Sequence, residues 1–223
     1  MRTLCVDVAG GGPGGLFLAR LLRLSDPTTE VRVQERNGPD DAFGFGVVFS
    51  DRTMSAFRAA DPHTHELIAK ASVGWSDMEL RLPGGRLRYG GYGFTAIARR
   101  TLLHILQEQA VDAGAELRFH HELEPGGTRP APPDPRSVVV FADGVSSTNR
   151  DELAHEFGTT IEVGSARYIW FGTEAPFDAV TFPFVRTEHG VFAAHAYPRT
   201  VHFVPQLPKT PSGKIQRYIL RQG

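Results

Sequence analysis

One cysteine, no long apolar run and no excess of either charge are the first features of this sequence. Cys5 alone can form neither an intramolecular disulfide nor the ligand set of a structural zinc site, so the expected setting is a reducing cytoplasm. Residues 4–9 form the first apolar stretch, but it is short and broken by Asp7, unlike a secretory leader. Nowhere do about 18 apolar residues follow one another, which leaves no candidate for a spanning helix. Lys and Arg number 24 against 25 Asp and Glu, a net charge of −1, so the basic footprint of a nucleic-acid or anionic-membrane binder is missing. Internal repeats and low-complexity tracts are absent, and 24 Gly with 16 Pro stay below a disordered composition. Against these absences stand 223 residues, 41% of them hydrophobic, enough for a packed core in one large domain or two small ones.

What is present is clearest at the start. Residues 3–9 read as a strand, 10–15 as a glycine turn, 16–24 as a helix and 30–35 as a second strand, which together make a βαβ unit. Gly10, Gly12 and Gly15 fit G-x-G-x-x-G, and Glu35 follows about 20 residues later, where a ribose-binding acid belongs. In that pattern one glycine makes the turn, one lets a pyrophosphate approach the backbone, and one lets helix and strand pack closely. Phosphates would then sit on the positive end of the helix. A purely structural glycine turn has the same letters, and Asp7 is at odds with a strand that is usually apolar on both faces.

Further along, residues 54–71 are helical in character with a break near Asp61 and Pro62. Residues 72–92 look like hairpin material turning at Pro83, Gly84 and Gly85. From Thr95 the spacing predicts a long amphipathic helix, with Ile97, Leu102, Leu103, Leu106 and Ala110 near one face, ending at Gly114. A strand at 116–120 follows, then a proline-rich surface connection at 125–135, then a strand at 138–141 that runs into Ala142, Asp143 and Gly144. Short β-rich runs at 161–163, 166–171, 179–185, 191–194 and 201–204 make the second half mainly sheet. His63 with His65, and His120 with His121, read as surface or packing histidines because no Cys or third ligand joins them. Trp75 and Trp170 read as core or pocket wall.

Several spaced motifs then agree in order. Residues 33–36 (Val-Gln-Glu-Arg), 41–50 (Asp-Ala-Phe-Gly-Phe-Gly-Val-Val-Phe-Ser), 97–99 (Ile-Ala-Arg) and 143–150 (Asp-Gly-Val-Ser-Ser-Thr-Asn-Arg) resemble those of the FAD-dependent aromatic hydroxylases. Within them the chain is most similar to the salicylyl-CoA 5-hydroxylase and 2-aminobenzoyl-CoA monooxygenase branch, over about residues 1–198. The resemblance implies an α/β fold in which a Rossmann-like FAD-binding domain interleaves with a partial antiparallel substrate-domain sheet, a truncated p-hydroxybenzoate-hydroxylase-like fold. It implies FAD as cofactor, NAD(P)H as co-substrate, and an aromatic acyl-CoA and oxygen as partners. By the same resemblance Glu35 holds the adenosine ribose, Arg36 and Arg99 face phosphates or the ribityl chain, and Asp143 with Gly144 belong to the cofactor site, whose closing part, the second flavin motif, is missing from the sequence. Gly44, Phe45, Gly46 and Val47 line the isoalloxazine and substrate pocket. No side chain is required as nucleophile, so none is assigned as catalytic. Read without the family, Arg99 is equally a solvated helix residue, and Asp143 with Gly144 a plain turn.

Two departures complete the reading. The family's second flavin motif is built on a Gly-Asp pair, and this chain has no Gly-Asp dipeptide. Residues 207–217 (Leu-Pro-Lys-Thr-Pro-Ser-Gly-Lys-Ile-Gln-Arg) resemble the extreme C-terminus of adenylate-forming acyl-CoA synthetases. There the lysine matching Lys214 contacts the acyl and phosphate groups; with no ATP-binding domain alongside, Lys214 is expected to be idle. The expected division is a monooxygenase-like region at 1–198 and a ligase-like tail at 199–223, a chimera joined near residues 194–198. Three functions stay open: a flavin monooxygenase, a non-catalytic FAD- or ADP-binding remnant, and an interaction module whose tail recognises a ligase partner.

Overall fold

A computed structural model of the chain describes residues 3–42, 44–122, 136–165 and 177–197. Phe43, the connection at 125–135, the strand expected at 166–171 with Trp170, and the tail at 199–223 with Lys214 and the strand at 201–204 lie outside the described residues. In chain order the first elements are β1 (Cys5–Ala9), α1 (Pro13–Ser25), β2 (Glu30–Glu35), β3 (Gly46–Ser50), α2 (Asp51–Ala60), α3 (Pro62–Lys70), β4 (Val73–Trp75), β5 (Met78–Leu82) and β6 (Gly85–Tyr89). Then come β7 (Phe94–Ala98), α4 (Arg99–Asp112), β8 (Glu116–Phe119), β9 (Ser137–Phe141), α5 (Thr148–Glu152), α6 (Ala154–Phe157), β10 (Val180–Thr187) and β11 (Gly190–Ala193). The chain divides into two units, each built from two stretches: residues 1–41 with 102–169, and residues 42–101 with 170–223.

Unit 1 carries a four-stranded sheet in the order β8-β2-β1-β9, with every pair parallel. Within the unit this is strand order 3-2-1-4, the doubly wound arrangement. Val6, Val8, Val31 and Val33 are buried in it, together with Leu16 and Ala19 of α1 and Leu102, Leu106 and Ala110 of α4. Arg20 and Arg23 of α1 donate to the carbonyls of Gln109 (2.9 Å) and Ala113 (3.0 Å), which fastens the two helices to each other. The misfit at Asp7 is resolved by register. Asp7 stands directly opposite Arg32 on β2, pairs with its guanidinium at 2.9 Å and accepts from Gln34 at 3.4 Å. A buried charge is tolerated where it is paired and hydrogen-bonded, and Asp7 is 5% exposed.

Unit 2 contains a three-stranded sheet, β3-β7-β4, and a four-stranded sheet, β11-β10-β5-β6. The second is mixed: β5/β6 and β10/β11 are antiparallel, and β10/β5 is parallel. The break at Asp61 and Pro62 divides α2 from α3 because the Asp61 side chain accepts from the backbone N–H groups of His63 and Thr64, starting a new helix with Pro62 at its first position. The β5/β6 hairpin turns at Pro83 and Gly84, as its sequence requires.

Two expectations are corrected. The long helix starts at Arg99, not Thr95, because Phe94–Ala98 is β7, the central strand of its sheet. Pairing with β3 on one side and β4 on the other overrides the helical spacing there, and the β-branched Thr95 and Ile97 suit a strand. Residues 161–163 form no strand: Ile161 and Val163 are 58% and 90% exposed. Among the described residues no strand pairs with this apolar triplet, which leaves it no ladder to join, and the preceding stretch makes two short helices, α5 and α6. Among the described residues no helix is long and apolar enough to cross a membrane.

Candidate functional site

In unit 1 the candidate residues gather at the carboxyl ends of the parallel strands, where doubly wound sheets take their ligands. β1 ends at Ala9 and the chain turns through Gly10, whose φ of +105° favours glycine. A Cβ at Gly10 would lie 2.4 Å from the Ala142 carbonyl oxygen, and one at Gly15 would lie 2.1 Å from the Gly10 carbonyl oxygen. Those two glycines are therefore required by the chain's own packing. Gly12 differs: its φ is −74°, and a Cβ there would meet nothing within 4 Å. Gly12 is also the N-cap of α1, with no side chain capping it and Pro13 following. The first N–H groups of a helix have no intrahelical partner, so open space, free donors and the positive end of α1 coincide at Gly12. Such a place can take an anionic phosphate.

Glu35 closes one side of this turn. One carboxylate oxygen accepts from the Gly11 N–H at 2.8 Å, and the other accepts from the backbone N–H (2.8 Å) and side-chain amide (2.6 Å) of Asn37. A carboxylate has about four lone-pair sites, so three donors leave room for one more, such as a hydroxyl. Arg36 is exposed at the rim and lies 3.5 Å from Glu122. On the other side of Gly10, Asp143 and Gly144 follow β9 in a turn that the motif itself constructs. Gly144 has φ +87°. Asp143 accepts from the buried Asn149 amide at 3.2 Å, Ser147 caps α5, and Arg150 donates to the Val145 carbonyl at 2.9 Å.

The remaining candidates lie in unit 2, around the paired ends of β3 and β7. Gly46 stands opposite Ala98 and Val47 opposite Ile97, and the Arg99 N–H donates to the Phe45 carbonyl at 3.1 Å. A Cβ at Gly46 would come 3.0 Å from the Ile97 carbonyl oxygen, while Gly44 needs glycine for its φ of +88°. Arg99 Nε is buried without a hydrogen-bond partner. That orphaned donor separates Arg99 from the exposed Arg100 and weighs against reading it as a solvated helix residue. Sequence reasoning matched Ser147 as the serine of the 143–150 motif but missed Asn37 and Asn149. An Asn two residues past an acidic strand end was the available signal for the first, since Asn readily bonds back to its own neighbourhood.

No protein-family model matches the chain. Curated relatives do, two of them as follows. Salicyloyl-CoA 5-hydroxylase of Streptomyces sp is 50% identical over 198 residues, covering 89% of this chain and 37% of that protein. The 3-hydroxy-4-methyl-anthranilyl-[aryl-carrier protein] 5-monooxygenase of Streptosporangium sibiricum is 34% identical over 199 residues, covering 89% and 54% respectively. Among solved structures, a variant of P. aeruginosa PqsL superposes with a TM-score of 0.63 at 19% identity, over 88% of this chain and 58% of that one. The p-nitrophenol 4-monooxygenase PnpA of Pseudomonas putida gives 0.54 at 20% identity, over 68% and 43%. The fold is that of the FAD-dependent aromatic hydroxylases. This hydroxylase fold is present over a chain that spans between 37% and 54% of the length of those two curated relatives.

Proposed function

We propose that the chain binds FAD through unit 1 and serves the NAD(P)H-dependent hydroxylation of an aromatic ring held as an acyl thioester, with salicyloyl-CoA as the model substrate. The observation that carries this reading is the open, uncapped helix start at Gly12, flanked by Glu35 and by the Asp143 turn. The residues fit the cofactor: Gly10 and Gly15 are glycine for internal reasons, whereas Gly12 is open where a pyrophosphate would lie. Two of the curated relatives suggest the substrate class, since their names specify an aromatic acyl group on coenzyme A or on an aryl-carrier protein.

When bound, FAD supplies electron transfer from NAD(P)H to oxygen and delivery of one oxygen atom to the ring. The chain's part is to hold and orient. Gly12 and the α1 N-terminus would receive the pyrophosphate, and Glu35, kept in place by Gly11 and Asn37, would accept from a ribose hydroxyl. Arg36 and Arg99 would offer guanidinium donors to phosphate or ribityl oxygens. Asp143 and Gly144 would close the phosphate side, and Gly44, Phe45, Gly46 and Val47 would present backbone and an aromatic ring to the flavin. No side chain needs to act as nucleophile. The division into a hydroxylase-like 1–198 and a ligase-like 199–223, with Lys214 idle, belongs to the same proposal.

The test is a flavin titration of the purified chain followed by fluorescence, then oxygen-dependent NAD(P)H oxidation with and without salicyloyl-CoA. Saturable binding and thioester-stimulated oxidation are expected. Binding without oxidation would make the chain a non-catalytic FAD or ADP binder, and no binding would overturn the proposal.

A further inference from the structure

The acidic end of β2 does not stand alone. One oxygen of Glu35 takes both the backbone N–H and the side-chain amide of Asn37, so whatever places Asn37 places the carboxylate. Beyond Asn37 the chain closes on itself. The Gly38 N–H donates to the Asp41 carboxylate at 2.8 Å, and the Asp41 N–H donates back to the Gly38 carbonyl at 3.2 Å. These two reciprocal bonds make residues 38–41 one compact turn, so a hold on any part of it is a hold on Asn37.

That turn is held from two sides, both within unit 1. From α4, the half-buried His104 and Gln107 stand three residues apart on one helix face. His104 Nε2 donates to the Asp40 carboxylate at 3.0 Å, and the Gln107 amide donates to the Pro39 carbonyl at 3.0 Å. The helix itself is fixed by its buried Leu102, Leu103 and Leu106. From the end of β8, His120 takes φ +57°, a left-handed backbone uncommon outside glycine. A regular strand aims successive N–H groups at opposite edges; here His120 and His121 both donate toward β2, to the carbonyls of Asn37 (3.3 Å) and Glu35 (3.0 Å). A Cβ on Gly38 would lie 3.2 Å from the His120 ring, so the ring covers the turn as well. Backbone in a sparsely populated region persists where its surroundings over-determine it, and such places gather at ligand sites.

We propose that His104 and Gln107 are positioning residues for the nucleotide ribose: from α4 they clasp the 38–41 turn, the turn fixes Asn37, and Asn37 aims the Glu35 carboxylate at the ribose hydroxyls. Neither side chain touches the nucleotide. Without the clasp the turn is held only at the end of β8, and the Glu35 oxygen that Asn37 holds loses its fixed direction. A hydrogen bond that depends on direction then weakens, while the phosphate contacts at Gly12 are untouched. The inference rests on the cofactor reading above and deepens it by naming residues outside the motif that set the ribose contact.

Calorimetric titration with ADP and with 2′,3′-dideoxy-ADP, on the wild-type chain and on His104→Ala, Gln107→Ala, the double variant and His104→Gln, tests it. The wild type should bind ADP about tenfold more tightly than the dideoxy nucleotide, the worth of a hydroxyl donating to a carboxylate. Each alanine should weaken ADP binding about threefold and the pair about tenfold, while the dideoxy nucleotide binds every variant alike. His104→Gln, which keeps an N–H donor for Asp40, should restore wild-type binding. Without nucleotide, amide hydrogen exchange at Gly38 and Asp41 should be faster in the double variant than in the wild type. Equal weakening of both nucleotides, which a merely structural role would give, overturns the proposal, as does unchanged ADP affinity or unchanged exchange. Glu35→Gln keeps the two readings apart: loss of the hydroxyl preference there but not in the double variant sinks the clasp alone, whereas a wild type that does not bind ADP, or binds both nucleotides alike, sinks the cofactor reading with it.

Discussion

The parallel sheet of unit 1 and the mixed four-stranded sheet of unit 2 bury themselves to different degrees. Val8 and Val33 in the first are 0% and 1% exposed, whereas Leu87 and Val191 in the second are 47% and 66% exposed. Parallel strands need crossover connections, and the helices in those crossovers cover the sheet. The pairs β5/β6 and β10/β11 are antiparallel neighbours in sequence and bring no helix of their own. The functional consequence is asymmetric. Around Gly10 the candidate site is built from atoms the core also needs, so binding and stability are entangled there; the far end of β10, Val185 to Thr187, is exposed and can be changed without disturbing the core.

The largest effect should come from Gly10→Ala or Gly15→Ala. Each forces a Cβ into a backbone oxygen at 2.4 or 2.1 Å, and destabilisation by about 3 kcal/mol is expected, read as a lowered midpoint in urea unfolding. Next is Arg32→Ala, which leaves the buried Asp7 carboxylate without its ion-pair partner. Because Arg32 is one-third exposed the cost should be about 1–2 kcal/mol, against under about 0.5 kcal/mol for Arg118→Ala in its exposed pair with Glu116. Equal costs for the two would break the contrast between covered and solvated charge.

Gly12→Ala separates binding from folding. With nothing within 4 Å of its Cβ, stability should change by less than about 1 kcal/mol, while FAD affinity falls about tenfold or more as the methyl enters the phosphate space. Unchanged affinity would mean that Gly12 is only a turn residue. A smaller effect is expected at Asn37, whose two donors hold one oxygen of Glu35. Asn37→Ala should weaken FAD binding about threefold to tenfold in the wild type and have little further effect in a Glu35→Gln background, the signature of coupled neighbours. Additive losses would show that Asn37 does not act through Glu35.

The smallest effect belongs to the exposed surface of unit 2. Arg88 donates to Asp77 at 2.7 Å and to Asp178 at 2.8 Å, and these bonds hold both carboxyls below their usual 3.8. A carboxyl whose folded value is depressed stabilises the fold above its unfolded value and loses that contribution as pH falls through the folded one. Thermal unfolding of the wild type should therefore fall more steeply below about pH 4 than that of Arg88→Ala, by a small margin because the groups are solvated. Parallel curves would show that the clamp contributes nothing.

Much of this architecture is legible from local chemistry. β2 spans Glu30–Glu35, as alternation predicts, and the α2/α3 break falls at the Asp61 cap. Where reading by pattern failed, long-range pairing decided. Residues 94–98 carry helix-compatible spacing, but two flanking strands claim them as β7, and residues 161–163 carry strand composition with no strand beside them among the described residues. The site divides in the same way. Gly10, Gly12, Gly15 and Glu35 announce themselves by spacing, whereas the role of Asn37 depends on where the Glu35 carboxylate turns.

By itself the sequence determined which segments repeat every second residue, where helices must start and stop, and which glycines could open a phosphate-sized gap, because these follow from local backbone sterics and side-chain period. Only the tertiary structure decided that Asp7 is neutralised by Arg32, that Gly10 and Gly15 are glycine for packing while Gly12 is free, and that β10 pairs with β5 only as far as Pro183. Register and burial are properties of segments far apart in the chain, and no local pattern contains them.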